Sequence, residues 1–230
     1  MTRPIALPAV ALLLAFSLAC GERAVPVREG DAEAVAPGAA PASTDPRVTA
    51  ADLARIQGDS TSPVWLVMVS DFQCPACKYW HDEQAAEIVR DYVATGKVRF
   101  AYINYPLGQH LNAVPASEAA MCAAAQSKFW PVHDGIFATQ AEWANAADPV
   151  PHFRRIVAAA GVDTTAWNQC LSDDVMLPLI EGDRDRGNAS GVNQTPTFFV
   201  GTQVVSGAVP ASQLRPLLDS AVARAGGGRG

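Results

Sequence analysis

Residues 70–77 read Ser70-Asp71-Phe72-Gln73-Cys74-Pro75-Ala76-Cys77, which places two cysteines two residues apart. The apolar run before them, Val64 to Val69, is short and contains several β-branched residues, as is typical of a buried strand. After the pair, apolar residues recur near helical spacing as far as about Val93, and Gly96 indicates the end of that helix. Val98 to Ile103 is the next predicted strand. Strand, helix and strand in this order predict a parallel βαβ unit, with the cysteine pair where the first strand passes into the helix.

This position suits thiol chemistry. A thiol attacks a disulfide only as its thiolate, and the unpaired N–H groups and macrodipole at a helix N-terminus favour negative charge. Cys74 is therefore the predicted nucleophile, exposed at the start of the helix, and Cys77, one turn later, is the predicted resolving cysteine. Pro75 fits the first helical turn, where its missing N–H costs nothing.

The rest of the chain interrupts and then completes this layer. From about Ala113 to Gly187 the sequence is rich in alanine and helix-like, with breaks at several prolines and glycines. Two short runs, Thr197 to Val200 and Gln203 to Ser206, predict a β-hairpin, and an amphipathic pattern predicts a last helix from about Ala211 to Ala225.

The composition narrows the possible functions. The chain has 230 residues, of which 49% are hydrophobic, and a formal net charge of -6. This apolar content is enough for a packed core. A mildly acidic chain without a basic stripe is not expected to bind nucleic acid.

Three segments together resemble the DsbA-like branch of the thioredoxin superfamily. They are the run at 70–77, the helical block with Gln126-Ser127-Lys128-Phe129-Trp130 and His133-Asp134, and the run Thr195-Pro196-Thr197-Phe198-Phe199-Val200. The resemblance covers about Val48 to Ala225 in order. It implies an α/β, thioredoxin-like fold with a central mixed β-sheet flanked by helices and an inserted all-helical domain. Residues 47–112 and 189–225 would form the thioredoxin fold, 113–188 the inserted domain and 226–230 a flexible tail.

The resemblance also implies an activity. The family exchanges disulfides with exported proteins that bear thiols or disulfides, a redox partner recycles its cysteine pair, and it needs no bound cofactor. Pro196 matches the cis-proline that faces the cysteine pair in this family, and Thr195 would pair with an extended substrate strand. A simple turn that starts a strand is the other interpretation of this proline.

Two positions depart from the family pattern and bear on the direction of exchange. Strongly oxidising members often have histidine at the position of Ala76, and related members often have a buried carboxylate at that of Met68. An alanine side chain cannot stabilise the Cys74 thiolate, and less stabilisation makes a weaker oxidant. Oxidase activity remains favoured over reductase or isomerase activity, and both Pro75 and Ala76 are supporting active-site residues.

The N-terminal residues predict export. Residues 1–19 carry one positive charge and then an uncharged apolar run too short for a membrane span, as in a signal peptide. The segment Phe16-Ser17-Leu18-Ala19-Cys20-Gly21 resembles a lipoprotein lipobox, so Cys20 would carry a lipid anchor on a flexible tether of residues 20–46. The alternative is an ordinary signal peptide cleaved near Ala19. The predicted location is the periplasm or the outer cell surface of a bacterium, at a membrane.

Two further sets of residues allow more than one interpretation. Cys122 and Cys170 are predicted to form a structural disulfide, because export to an oxidising compartment would pair nearby thiols; two buried free thiols are the alternative.

The spacing of Cys74, Cys77 and His81 is ligand-like, but a structural zinc site needs a fourth ligand, so no metal site is predicted. The competing function is a non-enzymatic exported lipoprotein that binds or delivers a metal through the same cysteines. The four histidines are interpreted as structural or surface residues: His81, His110, His133 and His152.

Overall fold

The computed structural model of the chain describes residues 43–227. The predicted signal peptide of residues 1–19, the lipidation site Cys20 and all but the last four residues of the tether lie outside the described residues, as do residues 228–230. Within the described part, every helix is too short or too polar to span a bilayer.

The described residues contain one five-stranded sheet with the spatial order β1-β3-β2-β4-β5. Its strands are β1 (Ile56–Gln57), β2 (Trp65–Ser70), β3 (Arg99–Asn104), β4 (Thr197–Val200) and β5 (Gln203–Ser206). Strands β2 and β3 are parallel, and the other three neighbouring pairs are antiparallel. The predicted mixed sheet, βαβ unit and hairpin are therefore present.

Helices surround this sheet. They are α1 (Pro46–Ala54), α2 (which starts with Pro75–Trp80 and continues through His81–Ala85, Ala86–Ile88 and Val89–Val93), α3 (Ala113–Ala124), α4 (Phe129–Ala138), α5 (Gln140–Trp143), α6 (Val150–Ala159), α7 (Thr164–Ser172), α8 (Leu177–Ala189) and α9 (Ala211–Gly227). The parts 81–85 and 89–93 of α2 are π-helical. Helix α9 runs two residues past the predicted end at Ala225.

The central strands are buried on both faces. Met68, Tyr102 and Phe198 are cross-strand neighbours that belong to the large core shared with the helical block. Val67 and Phe199 belong to a smaller core on the other face. Alternate residues of one strand point to opposite faces, so a continuous apolar run fills both cores.

The sequence did not indicate the first helix and strand. Asp45 begins α1 by accepting a hydrogen bond from Arg47 N at 2.8 Å, and Pro46 takes the first helical position. At the end of α1, the fully buried guanidinium of Arg55 forms an ion pair with the buried carboxylate of Asp183 on α8. Asp183 also accepts from the backbone N–H of Asn104, at 3.1 Å. Helix α8 thus closes one face of the sheet, although it lies within the predicted inserted block.

Cys122 on α3 and Cys170 on α7 are joined by a disulfide, with their Cα atoms 5.8 Å apart. Both residues are buried. Nearby, the indole N–H of Trp167 donates to Ala119 O at 2.9 Å, which is a second link between the same two helices. These contacts join the helical block across 48 residues of sequence.

Candidate active site

Cys74 occupies the N-cap position of α2, where the sequence placed it. Its backbone is extended, with φ -69° and ψ 122°, and Pro75 takes the first helical position. The Cys74 N–H donates to Asp71 O at 3.1 Å, and the Cys74 carbonyl accepts from Lys78 N at 3.1 Å. A turn at the end of β2 and the first turn of the helix therefore fix the backbone on both sides of the nucleophile.

The predicted exposure of Cys74 is wrong, since only 6% of the residue is exposed. The Cys74 thiol lies 3.6 Å from the carbonyl oxygen of Thr195, to which it donates a hydrogen bond. The Thr195–Pro196 peptide bond is cis, and both residues are buried. The chain segment before β4 thus packs against the sulfur, a contact across 121 residues that local spacing does not reveal.

The environment of Cys74 favours its thiolate. The hydrogen bond from the Cys77 thiol is the largest contribution that lowers the pKa of Cys74 to about 6, against the opposing effect of burial. The Thr195 side chain and the backbone N–H groups of Cys77 and Ala76 lower this pKa further. The Thr195 hydroxyl is buried and bonds to no other group within residues 43–227. It is therefore available to donate to the thiolate.

The environment of Cys77 favours the protonated thiol instead. Its side chain is fully buried, and this burial, together with the neighbouring Cys74, raises the pKa of Cys77 well above its ordinary value. The nearby Ser70 hydroxyl and the Asp71 backbone N–H oppose that rise in part. In the reduced pair, one sulfur is thus ionised near neutral pH and the other keeps its proton.

Asp71 is a buried carboxylate that the sequence left without a role. Its oxygens accept from Gln73 N at 2.7 Å and Leu107 N at 2.9 Å, and one of them lies 2.7 Å from His110 Nδ1. Burial raises the pKa of Asp71 in spite of these bonds. The carboxylate joins the cysteine-bearing turn to the loop that follows β3.

Side-chain amides connect the active-site turn to the helical block. Gln140 on α5 donates to Phe72 O at 2.7 Å and to Cys74 O at 3.2 Å. Gln73 donates to Ala144 O at 2.8 Å and accepts from Asn112 N at 2.7 Å. The sequence could have indicated Gln73 as an active-site residue, because it stands beside Cys74. It could not have indicated Gln140 and Asn112, because both are far from the cysteines in sequence.

His81, one helical turn beyond Cys77, points toward the helical block. Its Nε2 lies 3.2 Å from Asp134 Oδ1, and His133 Nδ1 lies 2.8 Å from the same oxygen. Across residues 43–227, these three are the residues whose ligand atoms are close enough together to hold a metal, and neither Cys74 nor Cys77 belongs to that group. The ligand-like spacing of the cysteines with His81 therefore does not produce a three-residue site.

Comparison with known proteins identifies the family. The family model described as Thioredoxin matches residues 51–220. The chain belongs to the thioredoxin family. A member from Bacillus anthracis, named Probable disulfide bond formation protein D, is 32% identical over 148 residues, which are 62% of this chain and 67% of that protein. The crystal structure of alpha-DsbA1 from Wolbachia pipientis has the same fold, with a TM-score of 0.66 and 21% identity over 74% of this chain and 92% of that one. The predicted DsbA-like branch and thioredoxin-like fold are confirmed.

This chain also matches part of a much longer protein. The Na(+)/H(+) antiporter NhaA 3 of Salinispora tropica is 33% identical over 150 residues, which are 65% of this chain but 22% of the antiporter. The chain thus spans less than a quarter of that relative's length.

Proposed function

We propose that this protein is an exported thiol–disulfide oxidoreductase that exchanges disulfides with extracytoplasmic proteins, with Cys74 as the nucleophile and Cys77 as the resolving cysteine. The observation that carries the proposal is the geometry of the pair: Cys74 is the N-cap of α2 with its sulfur 3.6 Å from the Thr195 carbonyl, and Cys77 is fully buried one turn later. In these environments the pKa of Cys74 is lowered to about 6, whereas burial and the neighbouring Cys74 raise that of Cys77 well above its ordinary value. A dithiol with one ionised and one protonated sulfur is suited to stepwise exchange.

As an oxidase, the protein would start with a Cys74–Cys77 disulfide. A substrate thiolate attacks Cys74 Sγ, the bond between the two cysteines breaks, and Cys77 leaves with the electron pair and takes up a proton. A second substrate thiolate then attacks the substrate sulfur of the mixed disulfide and releases Cys74 as a thiolate. The substrate loses two electrons to the cysteine pair, and a redox partner must remove them to restore the disulfide.

The low pKa of Cys74 makes it the good leaving group in the second step, because a thiolate of lower pKa leaves faster. Run backwards, the same residues reduce a disulfide: Cys74 attacks first, and Cys77, protonated until then, resolves the intermediate. The Cys74 thiolate is stabilised by its surroundings, but Ala76 supplies no side-chain donor, which supports an oxidant of moderate strength.

Thr195 and Pro196 would position the substrate. The Thr195 carbonyl already contacts the Cys74 sulfur at 3.6 Å, and Pro196 follows it across a cis bond. A peptide that adopts an extended conformation next to this segment would place its own sulfur near Cys74 by main-chain pairing.

Cys20 would hold the protein at a bacterial membrane, in the periplasm or on the outer cell surface. Support comes from the sequence pattern around Ala19 and Cys20. Replacement of Cys20 by serine is expected to abolish labelling with a radioactive fatty acid and to release the protein from the membrane fraction. Unchanged membrane retention and labelling in Cys20→Ser would contradict the anchor.

The activity is tested with the oxidised protein and a reduced peptide that contains two cysteines. We expect wild type to oxidise the peptide stoichiometrically, and Cys74→Ser to be inactive. Reduced Cys77→Ser is expected to accumulate a mixed disulfide with an oxidised peptide, because nothing resolves the intermediate at Cys74. Full exchange by Cys74→Ser would refute the assignment of the nucleophile.

The direction is tested by equilibrating the cysteine pair with glutathione. We expect a potential between those of thioredoxin, about -270 mV, and DsbA, about -120 mV. A potential at or below that of thioredoxin would contradict the preference for oxidation while leaving disulfide exchange intact.

A further inference from the structure

Two histidines and a carboxylate meet between helices α2 and α4, one turn beyond the cysteine pair and without either cysteine in the group. The ligand atoms of His81, His133 and Asp134 all lie within 4.8 Å of one another. Asp134 Oδ1 is the meeting point, 3.2 Å from His81 Nε2 and 2.8 Å from His133 Nδ1. The three residues come from two helices that are more than 50 positions apart in sequence, so the tertiary fold creates the cluster.

The spacing between each histidine nitrogen and the Asp134 oxygen suits a tetrahedral metal ion. Bonds of about 2.0–2.1 Å from Zn²⁺ to nitrogen and oxygen place neighbouring ligand atoms about 3.3 Å apart. The two nitrogen–oxygen distances, 2.8 and 3.2 Å, are close to that value. The side chain of Asp134 is 62% exposed, so it is free to shift by the few tenths of an ångström that coordination requires.

Both imidazoles are held in place. Asp82 Oδ1 lies 2.9 Å from His81 Nδ1, and Lys78 Nζ in turn donates to Asp82 Oδ2 at 2.7 Å. Asp82 holds the Nδ1 side of the His81 ring, so Nε2 is the nitrogen that faces Asp134 and that a metal would take in place of a proton. This is the carboxylate–histidine arrangement that orients metal-binding imidazoles. The ring of His133 is buried among aromatic rings that include Tyr102 and Phe137.

The cluster also leaves room for a fourth ligand. All three residues line a cavity of about 400 Å³ whose other walls include Met68 and Trp80. Three protein ligands and an open fourth position beside a cavity are typical of zinc sites that bind water or a small exogenous ligand.

We propose that His81, His133 and Asp134 bind a first-row divalent transition metal, with Zn²⁺ as the best match to two imidazoles and one carboxylate. The metal would bridge α2, one turn beyond the cysteine pair, to α4 of the helical block. This site is distinct from a metal site on the cysteines themselves.

The test measures Zn²⁺ binding by titration calorimetry to the full chain, with Cys74 and Cys77 oxidised to a disulfide and any remaining free thiol alkylated. Because no thiolate is then available, bound zinc must use other ligands. We expect one Zn²⁺ per chain, with a Kd below about 10 µM. Co²⁺ in place of Zn²⁺ is expected to show the visible absorption of a tetrahedral site without a thiolate-to-metal charge-transfer band.

Variants then locate the site. His81→Gln and Asp134→Asn are expected to weaken Zn²⁺ binding at least about 100-fold, and Asp82→Asn, which changes an outer partner, about 10- to 100-fold. His152→Gln is the matched control, because this half-buried histidine bonds to Thr139 and is not part of the cluster. The affinity of this variant for Zn²⁺ should equal that of wild type. Circular dichroism without metal checks that each variant is folded.

Absence of saturable Zn²⁺ binding to the oxidised wild type would overturn the proposal and leave the cluster as a set of hydrogen bonds. So would wild-type affinity in folded His81→Gln and Asp134→Asn. Neither result bears on disulfide exchange at Cys74, so the two proposals fail independently.

Discussion

At the residue scale, the Cys74 thiolate has a donor that the sequence did not predict. The sequence predicted stabilisation by the helix N-terminus, and less of it than in members with a histidine at the position of Ala76. In the structure, the Cys77 thiol is the main donor, and Ala76 contributes its backbone N–H. A helix N-terminus thus supplies donors whatever the side chain at this position.

The first prediction concerns the pH dependence of Cys74. Its thiolate is the reactive form, so the rate of alkylation by iodoacetamide in the reduced protein should rise with pH through a midpoint near 6 and level off above it. Thr195→Val removes a hydroxyl that favours the thiolate, and its midpoint should move to higher pH.

Thr197→Val is the control for this measurement. Thr197 is a buried neighbour of the same type, but its hydroxyl donates to Gln194 O at 2.8 Å. Its midpoint should remain that of wild type. An unchanged midpoint in Thr195→Val would show that the Thr195 hydroxyl does not act on the sulfur.

At the element scale, helix α5 supports the active-site turn through a single side chain. Gln140 is buried, and its amide donates to the carbonyls of Phe72 and Cys74 on either side of Gln73. The sequence predicted the turn and the helical block but not this link, because the partners are 68 and 66 residues away.

The second prediction is that Gln140→Ala destabilises the protein by about 1–3 kcal/mol, since a buried carbonyl that loses its donor costs that much. The free energy of unfolding in urea provides the measurement. The exposed Gln169, whose amide bonds to Asp173 on the surface, supplies the control variant Gln169→Ala, which should change stability by less than about 0.5 kcal/mol. Equal stabilities of the two variants would contradict the assigned role.

At the scale of the whole molecule, a buried ion pair joins the start of the described chain to helix α8. Arg55 and Asp183 are both fully buried, and Asp183 also accepts from the backbone and the side chain of Asn104 at 3.1 Å. Arg55 also pairs with Asp52, and Asp183 with Arg186. Asp183 is the fully buried one of the two carboxylates on Arg55, so its removal leaves the buried guanidinium with Asp52 alone.

The third prediction is therefore that Asp183→Asn lowers the free energy of unfolding by up to about 3–5 kcal/mol, the cost of a buried charge that loses its partner. The control is Asp185→Asn, an exposed position on the same helix, with an expected change below about 0.5 kcal/mol. A loss of less than about 1 kcal/mol in Asp183→Asn would contradict the prediction, because it would show that the buried Arg55 charge does not need this carboxylate.

The fourth prediction concerns the disulfide of the helical block. The bond between Cys122 and Cys170 closes a loop across 48 residues, so the double variant Cys122→Ala/Cys170→Ala should lose about 2–4 kcal/mol of stability. Exchange activity at a temperature where the variant is folded should persist, because Cys74 and Cys77 are unchanged. A reductant should destabilise wild type but not the double variant; equal effects on both would contradict the prediction.

The sequence by itself determined the parts that depend on neighbouring residues. The cysteine spacing, the apolar runs of β2 and β3 and the hairpin runs of β4 and β5 predict the active-site turn and the strands, since strand and helix periods are local properties. The resemblance in three ordered segments predicted the family. Helix α1 was missed because its single signal, Asp45-Pro46, follows a stretch whose composition is typical of a linker.

The tertiary structure alone decided the surroundings of the two sulfurs. Thr195 packs against the Cys74 sulfur, and the carboxylate of Asp71 accepts a hydrogen bond from the loop after β3. The side chain of His81 lies close to His133 and Asp134 rather than to the cysteines. These contacts join residues tens of positions apart. Burial and hydrogen bonding set the pKa of a thiol, and both arise only when the sheet and the helical block pack together.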